Sequence, residues 1–175
     1  MHNAKQLRLF IALWPDEATR DALAHIQVSL QGRKTLRGNF HLTLAFLGQQ
    51  PSHILPLLEE ILTRVQQAPL SLMLNRIGYF SRQRVTWAGA DKPPISLIGM
   101  QKGLMQDLTS NGIDINAAEK FQPHVTLARD APTPEIAVFA PIVWCADRIA
   151  LLESVTHTDG AAYRLITSHR LTNIV

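Results

Sequence analysis

One tetrapeptide occurs twice, and everything else in the chain has to accommodate it. His41-Leu42-Thr43-Leu44 stands inside Asn39-Phe40-His41-Leu42-Thr43-Leu44-Ala45-Phe46-Leu47-Gly48, and His124-Val125-Thr126-Leu127 follows 83 residues later in a chain of 175. Both runs are rich in β-branched and aliphatic residues and read as strands. Side chains on a strand alternate faces. His41, Thr43 and Ala45 therefore share one face, with Phe40, Leu42, Leu44 and Phe46 on the other. In the second copy His124, Thr126 and Ala128 oppose Val125 and Leu127. Each strand buries its aliphatic face and presents an imidazole and a hydroxyl about 6–7 Å apart. A lone His-x-Thr on a strand means little. Two copies in one hydrophobic frame, near half-chain spacing, point to a paired site.

Paired imidazoles suit an in-line displacement at phosphorus, one taking a proton while the other gives one. Histidine titrates near neutrality, so neither needs a large pKa shift for that work. The hydroxyls of Thr43 and Thr126 can donate to non-bridging phosphate oxygens.

The doubled His-x-Thr-Leu resembles the signature of the two-histidine phosphoesterase superfamily. The fuller pattern is similar to its bacterial branch, the RNA 2′,3′-cyclic phosphodiesterases, also called 2′-5′ RNA ligases. Leu9-Phe10-Ile11-Ala12-Leu13, the run from His41 to Gly48, Val85-Thr86-Trp87-Ala88-Gly89 and the run from Pro123 to Arg129 carry the resemblance. It implies His41 and His124 as the catalytic pair, with His41 donating and His124 accepting a proton in hydrolysis. It implies a basic residue at Arg129 that helps to hold the phosphate, no cofactor, and RNA with 2′,3′-cyclic phosphate ends as partner, tRNA halves or nucleotides among the candidates. Arg129 has the wrong strand parity to join His124 unless the strand has ended.

Apolar residues make up 46% of the chain, enough for a sizeable core. A formal charge of +3 is mildly basic and compatible with a phosphate-bearing ligand. The single cysteine, Cys145, cannot form an internal disulfide; it is expected in the core and in a reducing compartment. No run approaches a membrane span, and Leu9 to Trp14 is too short for a signal sequence. The expectation is a cytoplasmic monomer, one bilobal domain over residues 1–175.

Strands are expected over Leu7 to Trp14, both motifs, Leu70 to Leu74, Arg84 to Ala90, Ile142 to Cys145, Arg148 to Val155 and Tyr163 to Leu171, the last two joined at Asp159-Gly160. A first helix starts at Pro15-Asp16-Glu17 and runs to about Gln31, its stripe Ala18, Ala22, Ile26 and Leu30. A second follows Pro51-Ser52, and a third runs from Pro93-Pro94 to Asn111-Gly112. Strand, helix and motif strand thus recur in the two halves. The class is α+β: two pseudo-symmetric lobes of mainly antiparallel sheet with outer helices and a cleft between the sheets, as the resemblance also implies.

Gly32 to Gly38 is a basic loop leading into the first motif, a candidate for nucleic-acid contact. Tyr79 and Phe80 are placed in a turn, where they are candidates to stack a base; Trp87 is read as core, with base stacking as the alternative. His2, His25, His53, His157 and His169 are assigned to surface or structure. Ligand spacing for a metal is lacking, as is any Gly-rich phosphate loop. The leading expectation is a metal-independent phosphodiesterase opening RNA 2′,3′-cyclic ends to 2′-phosphates, with reverse 2′-5′ ligation allowed. The alternatives are a non-catalytic RNA-end binding module and a phosphodiesterase of small cyclic nucleotides.

Overall fold

The computed structural model describes residues 5–115, 120–135, 138–157 and 160–172. Leu7, Leu9, Ile11 and Leu13 alternate along β1 (Gln6–Leu13) and enter the main core. Asp16 caps the first helix, α1 (Glu17–Gln27), accepting from the Thr19 amide at 2.8 Å. The expected stripe turns inward at Ile26 and Leu30, with Ala22 packed on the core, but polar side chains share the inward face. Thr19, Arg20, Leu23, Ile26 and Gln27 are buried, whereas Ala18 is exposed. Three polar side chains therefore enter the interior, where each must find hydrogen-bond partners.

Gly32 has φ +95, and a Cβ there would lie 2.7 Å from the Arg129 carbonyl oxygen. Only glycine lets the backbone approach so closely. The approach places β2 (Arg33–Lys34) against the second motif strand, so the basic loop is partly a strand. A 3-10 turn (Arg37–Asn39) then delivers β3 (Leu42–Pro51). The second helix, α2 (Leu55–Thr63), carries Leu58, Ile61 and Leu62 into the core.

Four elements separate it from the second motif: β4 (Leu70–Leu74), β5 (Arg76–Phe80), β6 (Val85–Gly89) and α3 (Ile95–Ser110). The motif strand itself is β7 (His124–Arg129), and β8 (Ile142–Ala146), β9 (Arg148–His157) and β10 (Gly160–Arg170) close the chain. Asp159, from the expected turn, and His2 lie outside the described residues.

The strands order β10-β9-β1-β3-β7-β6-β5, with β2 also on β7, and the pairings are antiparallel. This is the expected α+β architecture with one refinement. The halves β10-β9-β1-β3 and β7-β6-β5 are joined through a single residue pair, Leu42 and Val125. β4 and β8 stand apart as a two-stranded sheet. Its inner face, including Leu72 and Trp144, belongs to the main core. Cys145 is on the outer face and exposed, which corrects the core expectation; strand parity puts it opposite its buried neighbours Trp144 and Ala146.

The helices and the main core lie on one side of the sheet. A smaller cluster of Phe10, Ala12, Ala150 and Leu152 lies on the other, with Trp14 and Tyr163 packed on it. Both motif histidines face this second side.

Candidate active site

Each motif starts where a buried residue anchors the strand, Phe40 before His41 and Pro123 before His124. Both imidazoles are oriented in the same way. His41 Nδ1 lies 2.7 Å from the Asn39 carbonyl oxygen, and His124 Nδ1 lies 2.7 Å from that of Gln122. A carbonyl can only accept, so Nδ1 carries the proton and donates in each ring. Nε2 is then the basic nitrogen of the neutral form and a donor in the imidazolium. The Asn39 side chain donates to Ala161 O at 2.9 Å, tying this backbone to β10.

Aromatic rings hold both imidazoles. His41 is 4.9 Å from Phe10 and edge-on to Tyr163 at 5.0 Å. His124 is edge-on to Phe80 at 5.0 Å and 5.9 Å from Trp87. Burial pushes the His41 pKa down to about 4, against a rise from the Asn39 hydrogen bond; His124, Arg129 and Arg20 lower it further. Burial also lowers the His124 pKa, opposed by the Gln122 carbonyl and aided by Arg129. Both shifts favour the neutral ring near pH 7. An anion between the two rings would favour protonation of one.

Both motif strands carry a bulge at the same place. Ile11 pairs with Ala45 and Ala12 with Thr43, leaving Leu44 as the extra residue. Thr86 pairs with Ala128 and Trp87 with Thr126, leaving Leu127 extra. Each is the fourth residue of its tetrapeptide. An extra residue reverses the alternation beyond it. Ala45 is therefore buried, and Phe46 turns outward at 67% exposure, which corrects the strict parity expected from the sequence. The same reversal brings Arg129 to the His124 face and removes the parity objection.

His41, Thr43, His124, Thr126 and Arg129 line one cleft of about 910 Å³. Phe46, Tyr163, Arg8 and Arg33 also line it, and the sequence reading had not singled these out as site residues. Phe46 is hidden from periodicity by the bulge, and Tyr163 comes from a strand far along the chain. Arg33 had a signal as part of the basic loop. Arg33 itself pairs with Asp130 at 3.2 Å, Arg37 pairs with Glu17 and Asp21, and Lys34 donates to Val28 O.

The stacking candidates fare differently. Tyr79 and Phe80 end β5 rather than occupying the turn. The Tyr79 hydroxyl donates to Ala131 O at 2.8 Å, away from the histidines. Phe80 lies beside His124 and Trp87. Trp87 is 3% exposed and offers no face to a base. A Cβ at Gly78 would run into its indole ring, so the missing side chain makes room for it. Among the described residues no group of three or more His, Cys, Asp or Glu side chains is placed to hold a metal ion. Nor is any helix among them long and apolar enough to cross a membrane.

Residues 13–87 match the family model of LigT like Phosphoesterase. An RNA 2′,3′-cyclic phosphodiesterase of Escherichia coli is 33% identical over 128 residues, which cover 71% of this chain and 72% of that one. A protein of the same name from Thermus thermophilus is 32% identical over 180 residues, covering 94% and 90%. The crystal structure of E. coli LigT complexed with 3′-AMP superposes with a TM-score of 0.86 at 27% identity, over 97% of this chain and all of that one. With the doubled motif, the bulged strands and these likenesses, the chain belongs to the LigT-like phosphoesterase family.

Proposed function

We propose that the chain is an RNA 2′,3′-cyclic phosphodiesterase that opens a terminal cyclic phosphate to a 2′-phosphate. One observation carries the reading: two imidazoles, each fixed through Nδ1 to a backbone carbonyl, share a cleft with two threonines and an arginine. An Nδ1–H fixed in this way leaves Nε2 of each ring as the proton-transfer atom. His124 takes the proton of the attacking water and His41 gives one to the departing 3′-oxygen. Thr43, Thr126 and Arg129 hold the phosphate oxygens. The P–O3′ bond breaks as the water oxygen bonds phosphorus, and the net change is addition of one water.

The roles of the two histidines follow the family resemblance. Nearby cations do not separate the two rings, since Arg129 acts on both and Arg20 on His41 as well. The anionic phosphate supplies the charge that restores a proton to the acid. With a 5′-hydroxyl in place of water as the nucleophile, the same steps break P–O3′ and form a 2′-5′ linkage. The expected partner is RNA carrying cyclic ends, met in the cytoplasm by one bilobal monomer.

The experiment is product analysis on a short RNA with a 2′,3′-cyclic end, in EDTA. A 2′-phosphate product is expected. Tight binding without turnover would leave an RNA-end binding module instead, and turnover of mononucleotides alone would move the substrate to small cyclic nucleotides.

A further inference from the structure

The catalytic reading makes no use of two glutamines, Gln27 and Gln101. A residue added at a bulge disrupts the ladder, and a buried carbonyl there still needs a donor. Leu127 O accepts from Gln27 Nε2 at 2.7 Å and from the Thr35 amide at 2.9 Å. The same Gln27 amide also donates to Thr35 O at 2.7 Å. Two carbonyls can be satisfied only by the nitrogen end, so the amide's orientation is determined. Leu44 O accepts from Gln101 Nε2 at 3.3 Å. Leu127 and Leu44 are the bulge residues that end the two motif tetrapeptides.

The pattern crosses between halves. Gln27 is on α1, between β1 and β3, yet it holds the second motif. Gln101 is on α3, between β6 and β7, yet it holds the first. Past the pair Leu42 and Val125, where β3 and β7 stop pairing, each helix supplies a donor to the other half's motif strand.

We propose that Gln27 and Gln101 are reciprocal positioning residues, which hold the bulges that turn Arg129 and Phe46 toward the cleft and so set what each motif presents to the phosphodiester. This rests on the phosphodiesterase reading. Neither amide touches the reacting atoms; each acts through its own bulge. Loss of Gln27 should be felt through Arg129, and loss of Gln101 through Phe46.

The test is a set of double-mutant cycles. Methionine keeps the length and helix propensity of glutamine but cannot donate. Gln27→Met should lower kcat/KM on a nucleoside 2′,3′-cyclic phosphate about 10-fold, the scale of one lost hydrogen bond to a buried carbonyl. In an Arg129→Ala background the loss should shrink to less than about 2-fold, while with Phe46→Ala the two losses should multiply. Gln101→Met should show the mirror pattern. Gln101→Lys, which restores a donor, should recover the rate.

Equal losses in every background, or a lower melting temperature with kcat/KM unchanged, would overturn the proposal. If Gln27→Met does not fold, the Gln101 cycle decides alone. If the wild-type chain hydrolyses no cyclic phosphate, the phosphodiesterase reading fails by itself. The cycles are then read from inorganic phosphate binding, followed by the imidazole NMR shifts of His41 and His124, and additivity there would sink the clamps.

Discussion

Phe46 and Arg129 occupy the same place in the two halves: each lies five residues past its motif histidine, beyond a leucine bulge, and faces the shared cleft. One backbone device thus presents an aromatic ring from one wall and a guanidinium from the other. The repeat keeps its geometry where the side chains differ in chemistry.

The two histidines should separate under a change of leaving group. His41→Ala or His124→Ala should each cost roughly 10²–10⁴-fold on a cyclic phosphate, the usual contribution of a positioned acid or base. On a p-nitrophenyl phosphodiester that the cleft accepts, the leaving group needs no proton. His41→Ala should then recover much of its rate and His124→Ala should not. The opposite result in steady-state kinetics would exchange the roles.

Thr43→Val and Thr126→Val delete a hydroxyl at nearly constant shape. Hydrogen bonds to a charged group contribute about 1.5–3 kcal/mol, so each change should cost roughly 10- to 150-fold in kcat/KM. Circular dichroism should show both variants folded. Full activity in both would reduce the hydroxyls to packing.

Stability should fall with acid in a way that traces to His41. Its pKa drops from 6.5 to about 4 on folding, so between those values the unfolded chain binds more protons. The stabilisation of the neutral ring is complete above about 6.5 and is lost as pH falls toward 4, on the order of 3 kcal/mol. His124 contributes with the same sign. Urea unfolding at pH 7 and pH 4.5 should show a smaller drop for His41→Gln than for the wild type. Identical drops would mean that the imidazole is not desolvated.

Gly78→Ala should damage both fold and rate. Its Cβ would enter the Trp87 ring, and overpacking of this kind costs about 1–3 kcal/mol. Trp87 also lies beside His124, so turnover should fall along with the melting temperature. A variant with both unchanged would show that the indole can move aside freely.

Much of this was legible before any coordinates. The motif strands, the proline-led start of α3 and the start of α1 at Pro15-Asp16-Glu17 follow from local rules of alternation and helix initiation, which act over a few residues. The bulges do not. Leu44 and Leu127 look like ordinary core positions in an alternating strand, and only the register of the neighbouring strands shows that each is an extra residue. Strict alternation therefore puts Phe46 on the core face and Arg129 out of step with His124. Gln27 and Arg20 are hidden for a related reason: polar residues on a helix read as solvent-facing, whereas Gln27 serves Leu127 O and Arg20 donates to Arg37 O at 2.8 Å.

The single ladder pair Leu42 and Val125 has a mechanical consequence. Each residue directly follows a motif histidine. The β3–β7 ladder is thus pinned beside the imidazoles, so the spacing of the two rings is set by backbone pairing rather than by long side chains.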